Sequence, residues 1–304
     1  MIMIATLVIG LLLLLLSAHI IIENSIVLAK KLGISSFIIG VTLVTFGTSI
    51  PEFFLHIMAT LHNHHELALG NVVGSNIANI LLIIGIALCF SAIKMQKKFI
   101  LMELPFAIIP TVSLLLLGFI FGTVSQLFGL FFFVLLIAYL ATSYKMGRQE
   151  HVHAQHTHWF IAFILCVISF LGIQLGSLLI IESSLHLISV FNILPFDFAA
   201  IVLSIGTSIP ELFIILLAVI HKRHEVAVGT IVGTNIFNIL GIVGFGAFFA
   251  PLLIDMQFLI HMIILMCVTS FFYVLILLSN YHLKKWHGYL LILLYVCYLL
   301  YIII

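Results

Sequence analysis

GTSIPE occupies positions 47–52 of the chain and recurs at positions 206–211. Each copy is followed by a line of small and amide residues, GNVVGSNIANI at 70–80 and GTIVGTNIFNI at 229–239. The offset is constant, since 211 − 52 = 159, and 19 of the 41 positions in 40–80 and 199–239 are identical without a gap. The identities fall on Gly, Thr, Ser, Pro, Glu and Asn, which apolar bias does not supply. The chain therefore contains an internal duplication.

The composition indicates a polytopic membrane protein. Of the 304 residues, 64% are hydrophobic and 7% are charged, whereas soluble proteins carry about 25% charged residues. So few charges do not cover an aqueous surface, and a lipid bilayer is the expected surrounding. A net charge of +1 gives no reason to expect nucleic acid as a partner. The first apolar run has neither a basic leading region nor a clear cleavage site, so we expect a retained helix there.

Polar breaks divide the chain into segments long enough to span a membrane, which takes about 20 apolar residues. Ten spans are predicted, at 2–22, 36–61, 67–90, 99–121, 125–144, 159–181, 196–220, 226–250, 257–279 and 287–304. The fold class predicted is thus an all-α membrane protein of ten helices. Residues 1–144 would form a first five-helix repeat and residues 159–304 a second. The His-rich stretch 145–158 would link them.

The basic residues predict which loops face the cytoplasm. All 11 Lys and Arg residues follow odd-numbered spans: Lys30, Lys31, Lys94, Lys97, Lys98, Lys145, Arg148, Lys222, Arg223, Lys284 and Lys285. The positive-inside rule then places these loops and the central linker in the cytoplasm and both termini outside. Because each repeat has an odd number of spans, the two repeats would be inverted. This architecture is typical of transporters that bind their substrate at the repeat interface.

Glu52 and Glu211 are the carboxylates that the duplication places in the middle of apolar spans. A charged side chain at that depth is costly, and no Lys or Arg lies in any predicted span. Each carboxylate is therefore protonated, faces a water-filled cavity, or binds a cation. A protonated pair that bonds between helices stays open as a structural alternative. A hard cation would relieve the repulsion between two carboxylates at one site.

The proline before each glutamate predicts free backbone carbonyls beside it. Pro51 and Pro210 lack an N–H, which leaves the carbonyls of Gly47 and Gly206 without a helical donor. Unwound carbonyls at membrane depth are ligands that Na⁺ and Ca²⁺ favour, and a simple kink is the alternative. Helix disruption would free further carbonyls around Thr45, Thr48, Ser204 and Thr207.

Neutral side-chain oxygens come from the second line of the motif. Ser75 and Asn79 lie four residues apart on one helix face, and Thr234 and Asn238 are their counterparts. Asn79 and Asn238 are predicted site residues. For the neighbouring Asn76 and Asn235, helix-to-helix hydrogen bonding and ion contact are equally open.

Other polar residues are expected outside the site. Glu103 and Asp255 are predicted to be peripheral, and Glu23 and Glu182 to lie near helix ends. Two histidine clusters lack the cysteine or patterned carboxylate of a zinc site, so we expect solvated loop histidines. These clusters are His62, His64 and His65, and His151, His153, His156 and His158.

At these residues the chain resembles the cation/calcium exchanger superfamily, and within it the prokaryotic sodium/calcium exchanger-like proteins. The resemblance covers the ten-span plan and both repeat motifs. It implies two inverted five-helix repeats with helices 2, 3, 7 and 8 around the ion sites. Helices 1 and 6 would be long and tilted, and would slide on the outside between inward- and outward-open states.

The resemblance also implies roles for the motif residues. Glu52 and Glu211 would be the central Ca²⁺ ligands shared with Na⁺, and the carbonyls of Thr48 and Thr207 would complete the Ca²⁺ site. Flanking Na⁺ sites would use Ser49, Ser75, Ser208 and Thr234, and the carbonyls of Thr45 and Ser204. At the middle position sodium/calcium exchangers commonly have Asn and then Asp, but this chain has Asn79 and Asn238. Two central carboxylates remain.

The function expected is Ca²⁺/Na⁺ antiport across a prokaryotic inner membrane, with no cofactor besides the transported ions. The alternative is a H⁺-coupled antiporter of Ca²⁺ or another cation. A membrane hydrolase is disfavoured, because the spans lack a motif such as H-E-x-x-H, and a passive channel does not need the inverted symmetry. The sequence carries no signal for an oligomeric state.

Overall fold

The chain folds into a bundle of helices, seen in a computed structural model that describes residues 2–31, 49–95, 97–146, 159–220 and 224–303. The helices in these ranges are α1 (Ile2–Lys31), α2 (Ile50–Leu61), α3 (His65–Phe90), α4 (Lys97–Phe121), α5 (Gln126–Met146), α6 (Trp159–Phe191), α7 (Pro195–Thr207), α8 (Ile209–Ile220), α9 (224–249), α10 (Met256–Leu278) and α11 (Lys285–Ile303). Most of the predicted linker, 147–158, lies outside the described residues.

Within the described ranges, six helices are long and apolar enough to cross a membrane, and a seventh span results if the bent pair α7 and α8 counts as one. Shorter apolar helices occupy Ile2–Ser17, Ile50–Leu61 and Gln126–Thr142. Large apolar side chains cover the outside of the bundle, including Ile2 and Phe119, which are 79% and 75% exposed. Such an apolar exterior suits contact with lipid.

The helices α1 and α6 are long and pack against each other. They have 30 and 33 residues, and a Cβ added to Gly10 would lie 3.1 Å from the carbonyl oxygen of Gly176. The predicted end of the sixth span at position 181 is wrong, because α6 continues to Phe191. Glu182 is exposed in the interior of this helix rather than at its end. Hydropathy falls at the glutamate although the helix continues.

Two short antiparallel strand pairs join loops from the two halves of the chain. Ile93–Lys94 (β1) pairs with His282–Leu283 (β4), and Thr123–Val124 (β2) pairs with Leu252–Leu253 (β3). The offset of 159 carries β1 onto β3 and β2 onto β4. Each pairing requires its two loops to lie at the same end of the bundle. The sequence analysis does not predict these strands.

Glycine contacts between helices repeat with the same offset. A Cβ at Gly288 of α11 would lie 2.6 Å from the carbonyl oxygen of Gly85 in α3. A Cβ at Gly129 of α5 would lie 2.6 Å from the carbonyl oxygen of Gly244 in α9. The shift by 159 converts one pair into the other. Both contacts let helix backbones approach closely, as small residues do in membrane bundles.

The helices α3 and α9 form the centre of the bundle. The apolar windows in both are 83% buried, the highest share among the candidate spans of the described chain. Each contains a π-helical turn, at Asn79–Ile83 and at Asn238–Val243, which begins at one of the predicted site asparagines. A π-turn inside an α-helix is frequent at functional sites, because it changes the direction of the side chains.

Candidate ion-binding site

The predicted ligands that the structure describes are all buried inside the bundle. Thr45 and Thr48 lie outside the described residues. The others are each at most 2% exposed: Ser49, Glu52, Ser75, Asn79, Ser204, Thr207, Ser208, Glu211, Thr234 and Asn238. They are contributed by the start of α2, the middle of α3, the junction of α7 and α8, and the middle of α9.

The second GTSIPE copy lies where the helix axis bends. The axes of α7 and α8 meet at 45°, and Ser208 is the residue between them. Hydrogen bonds continue across the bend, from the amide of Ser208 to the carbonyl of Ser204 and from the amide of Leu212 to the carbonyl of Ser208, both 3.1 Å. Pro210 has no N–H to give to the carbonyl of Gly206. The bend is thus local, and the carbonyl of Gly206 lacks the backbone donor four residues later.

The carboxylate of Glu52 contacts this bend from the other half of the chain. The hydroxyl of Ser208 donates to Glu52 Oε1 over 3.4 Å, and the hydroxyl of Thr207 also lies within hydrogen-bonding reach of Glu52. Glu52 Oε2 has no hydrogen-bond partner among the described residues, and no described Lys or Arg is within ion-pair distance of Glu52. One buried carboxylate oxygen therefore remains available as an acceptor.

Glu211, the counterpart of Glu52, lies in the first turn of α8 and is completely buried. It follows Ser208 by three residues, so both side chains leave the same end of the helix. The two central carboxylates are thus held on opposite halves of the chain.

Four asparagines cross-link α3 and α9. Asn76 and Asn235 each donate from Nδ2 to the other's backbone carbonyl, over 3.2 and 3.0 Å. Asn79 donates from Nδ2 to Asn235 Oδ1 over 2.9 Å, and Asn238 donates to Asn76 Oδ1 over 2.8 Å. The two halves of this network are related by the repeat offset of 159, which carries Asn76 onto Asn235 and Asn79 onto Asn238. Asn76 and Asn235 therefore form hydrogen bonds between the two helices. This is one of the two alternatives that the sequence leaves open for them, the other being contact with an ion.

These bonds fix the direction of the outer amides. Because the amide nitrogens of Asn79 and Asn238 are engaged, each oxygen points away from the contact. Neither Oδ1 atom has a hydrogen-bond partner within the described chain, and the same is true of Ser75 Oγ and Thr234 Oγ1. Buried polar atoms are normally satisfied. With Glu52 Oε2, these four atoms form a set of oxygen acceptors without donors, which suits a hard cation.

One polar contact at this site is missing from the sequence analysis. Asn71, in the second turn of α3, is completely buried and accepts the hydroxyl of Thr207 at Oδ1 over 3.3 Å. Its counterpart in the repeat is Thr230, so identity between the repeats does not single it out. The available signal is an amide in the apolar stretch between Gly70 and Gly74.

The hydroxyl of Ser204 turns away from the other ligands. It donates to the carbonyl of Ala200 over 2.6 Å, one turn earlier in α7. The carbonyl of Ser204 accepts the amide of Ser208 over 3.1 Å and lies 3.5 Å from the hydroxyl of Thr207. This carbonyl is the group of Ser204 that the resemblance assigns to a Na⁺ site.

The histidines that the structure describes do not form a metal cluster. No group of three or more His, Cys, Asp or Glu side chains in the described ranges has the geometry of a metal site. His62 is exposed and donates to the carbonyl of Met58 over 2.8 Å. His151, His153, His156 and His158 lie outside the described residues.

His56 is a separate case, because it is completely buried one turn after Glu52. Its Nδ1 contacts the carbonyl of Ala68 over 3.0 Å. A carbonyl only accepts, so Nδ1 carries the proton. The ring packs against Gly246 of α9, and it fills space where the repeat has Ile215 instead.

The comparison with protein families matches nearly the whole chain. Residues 2–145 and 161–304 match the family described as sodium/calcium exchanger protein. The chain belongs to the sodium/calcium exchanger family. As a member of this family it is a membrane protein of the cation/Ca²⁺ antiporter class, and the sequence-based family assignment is confirmed.

Relatives of this exchanger match over most of their length. It is 31% identical to the inner membrane protein YrbG of Escherichia coli over 265 residues, which cover 83% of this chain and 81% of that protein. It is 26% identical to the sodium/calcium exchanger MaX1 of Methanosarcina acetivorans over 321 residues, or 91% and 92% of the two chains.

A solved structure shares the fold of this exchanger. The sodium-calcium exchanger NCX_Mj, soaked with Na⁺ and Sr²⁺, superimposes with a TM-score of 0.68 at 26% identity and covers 97% of this chain and 96% of its own. This similarity confirms the prediction from the sequence that the protein has a helical membrane fold.

Proposed function

We propose that this exchanger extrudes Ca²⁺ against inward Na⁺ by alternating access. The observation that carries the proposal is a group of five buried oxygen atoms that have no hydrogen-bond partner among the described residues: Glu52 Oε2, Ser75 Oγ, Thr234 Oγ1, Asn79 Oδ1 and Asn238 Oδ1. Oxygen atoms without hydrogen-bond donors are ligands for hard cations. Glu211 is the second central carboxylate of this site.

Competition for the same ligands would couple the two ion fluxes. Both Ca²⁺ and Na⁺ need Glu52 and Glu211, so the occupied site holds one kind of ion or the other. The remaining proposed ligands are those of the sequence analysis: Ser49, Ser208, the carbonyls of Thr45, Thr48, Ser204 and Thr207, and the side chains of Ser75, Thr234, Asn79 and Asn238. The long helices α1 and α6 would move across this core to open it to either side.

The proposed architecture is ten spans in two inverted repeats, 1–144 and 159–304, with 145–158 as a cytoplasmic linker and both termini extracytoplasmic. Two observations support it. First, the repeat offset of 159 converts one glycine pair into the other and one asparagine bond into the other. Second, the β1–β4 pair joins the loops that contain Lys94 and Lys284, both predicted to be cytoplasmic, and β2–β3 joins two loops without basic residues.

A H⁺-coupled antiporter is the second candidate. The observation that favours it is Asn at both middle positions, Asn79 and Asn238, because the site then carries only two carboxylates to share among the driving ions. Protons would bind the same carboxylates that release Ca²⁺.

Transport into proteoliposomes tests the choice of driving ion. Purified protein is reconstituted, and uptake of radiolabelled Ca²⁺ is compared under an outward Na⁺ gradient, under a pH gradient in Na⁺-free medium, and with no gradient. Na⁺-driven uptake supports the proposal, and uptake driven only by the pH gradient supports the second candidate. Equal uptake without any gradient contradicts both and indicates a passive channel.

A further inference from the structure

A third carboxyl group is buried in the bundle, on α4, a helix that contributes none of the predicted ligands. Glu103 lies in the second turn of α4 and is 2% exposed, so the expectation that it is peripheral is wrong. The sequence suggests a peripheral position because three lysines lie nearby at 94–98. Helices α5 and α10 cover the side chain instead.

Glu103 accepts a hydrogen bond from a tyrosine hydroxyl group. Tyr139 of α5 donates to Glu103 Oε1 over 3.3 Å, and Glu103 Oε2 has no hydrogen-bond partner in the described chain. Tyr273 of α10 is buried against the same helix, because it lines a cavity together with Ala107, one turn after Glu103. The Tyr273 hydroxyl likewise has no hydrogen-bond partner in the ranges the structure describes.

No described basic group neutralises Glu103. The ion pairs within the described residues are His19–Glu23 and His261–Asp197. Facing it from α5 and α10 are the titratable tyrosines already named, and its own helix starts with Lys97 and Lys98. The other packed helix, α9, has His224 and Glu225 at its first two positions and no titratable residue from 226 to 249.

A small cavity lies between the helix of Glu103 and the asparagine cross-link, lined on α4 by Ala107 and Thr111, one and two turns after Glu103. The cavity has a volume of about 20 Å³, enough for one water molecule. The polar residues in its lining are Tyr273, Thr111, Thr269, Asn76 and Asn235, and the rest of the lining is apolar. The cavity thus brings Tyr273 and the α4 face that carries Glu103 next to the two residues that orient Asn79 and Asn238.

We propose that Glu103 is a proton-binding site of this exchanger, connected through Tyr273 and the water-sized cavity to the back of the ion site. The carboxylate takes up one proton and becomes a neutral acid, and it returns that proton to the cavity when it ionises. Its negative charge attracts a cation at the ion site, and this attraction is lost when the carboxyl group is protonated. Bound Ca²⁺ and a protonated Glu103 therefore oppose each other.

This site is separate from Glu52 and Glu211, and it exists whichever ion drives exchange. Only the transport arm of its test rests on the proposed function. The direct arm is infrared difference spectroscopy of the purified protein during a pH titration, which observes the C=O band of a protonated carboxyl group. Glu103→Gln keeps an acceptor for Tyr139, and Glu182→Gln is the control because Glu182 is exposed on α6.

The wild type and the Glu182→Gln control should show a titrating buried carboxyl band that Glu103→Gln lacks, and Tyr273→Phe should move its midpoint. In transport, Glu103→Gln should flatten the pH profile of Ca²⁺ uptake. Identical carboxyl titrations in the wild type and Glu103→Gln overturn the proposal, even if the protein transports Ca²⁺ normally. If Glu103→Gln does not fold, Glu103→Asp replaces it, and a midpoint equal to that of the wild type overturns the proposal in the same way.

Discussion

Asn76 and Asn235 donate to each other's backbone carbonyls, with Nδ2–O distances of 3.2 and 3.0 Å. The two residues are 235 − 76 = 159 positions apart, the offset of the internal repeat. Each also uses its side-chain oxygen to accept the amide of a predicted ligand, Asn238 or Asn79. One pair of residues thus joins the central helices and turns the ligand oxygens outward.

Asn76→Ala should weaken Ca²⁺ binding without removing a ligand. Asn238 Nδ2 loses its acceptor, and the amide is then free to turn its N–H groups towards the cation. A lost bond of this kind costs about 1–3 kcal/mol, so we expect half-maximal uptake at roughly tenfold higher Ca²⁺. Ser91→Ala is the control, because within the described chain the hydrogen bond of that hydroxyl is a long one to the adjacent Ala92 carbonyl, at 3.4 Å. An unchanged Ca²⁺ dependence in Asn76→Ala would contradict the orienting role.

Gly74→Ala should destabilise the bundle. The added Cβ would overlap the backbone carbonyl of Ala200, so α3 and α7 would have to separate. Overpacking against a backbone costs about 1–3 kcal/mol, and thermal unfolding in detergent should show a lower midpoint. In the control Gly172→Ala the new Cβ meets the side-chain hydroxyl of Ser17, which can rotate away. Equal losses in the two variants would show that the close approach of α3 and α7 is not the cause.

Gly246→Ala and His56→Ala should compensate for each other. A methyl group at Gly246 would overlap the His56 ring, and removal of that ring makes the space. Each single variant should unfold at a lower temperature than the wild type, and the double variant should be more stable than the sum of the single effects predicts. A coupling energy of about 1 kcal/mol is expected for residues in direct contact. Strictly additive effects would show that the His56 ring does not contact position 246.

Cysteine labelling tests which end of the bundle is cytoplasmic. In a background without the native cysteines, Lys94→Cys and His282→Cys should react with a membrane-impermeant reagent only from the cytoplasmic side. Leu253→Cys should react only from outside, because β3 belongs to the opposite strand pair. The three positions are exposed. Labelling of Lys94→Cys and Leu253→Cys from the same side would exclude the proposed topology.

The parts of the fold that follow from the sequence are those encoded by the repeat. A motif that returns at a constant offset predicts a pseudo-symmetric core, and the reciprocal bond between Asn76 and Asn235 is a direct consequence of such symmetry. The motif also predicts which residues are buried together, because polar residues in apolar spans need partners. The described ligands are indeed all inside.

The parts that sequence reasoning misses depend on neighbouring helices. The burial of Glu103 results from α5 and α10, which lie far away along the chain, whereas the lysines beside it suggest a surface position. The π-turns at Asn79 and Asn238 leave no hydropathy signal, since apolar residues surround both. The helix α6 runs past Glu182 because an exposed glutamate does not break a helix, although it lowers the local hydropathy.

The most direct test of the central claim is Ca²⁺ uptake by Glu52→Gln and Glu211→Gln in Na⁺-loaded proteoliposomes. Both changes keep the size of the side chain and remove its charge, and Glu182→Gln is the matched control. Loss of a buried charged contact costs about 2–5 kcal/mol, so uptake should fall about 100-fold in the two site variants and stay unchanged in the control. Normal Na⁺-dependent uptake by either site variant, with equal protein inserted, would contradict the assignment of the ion site.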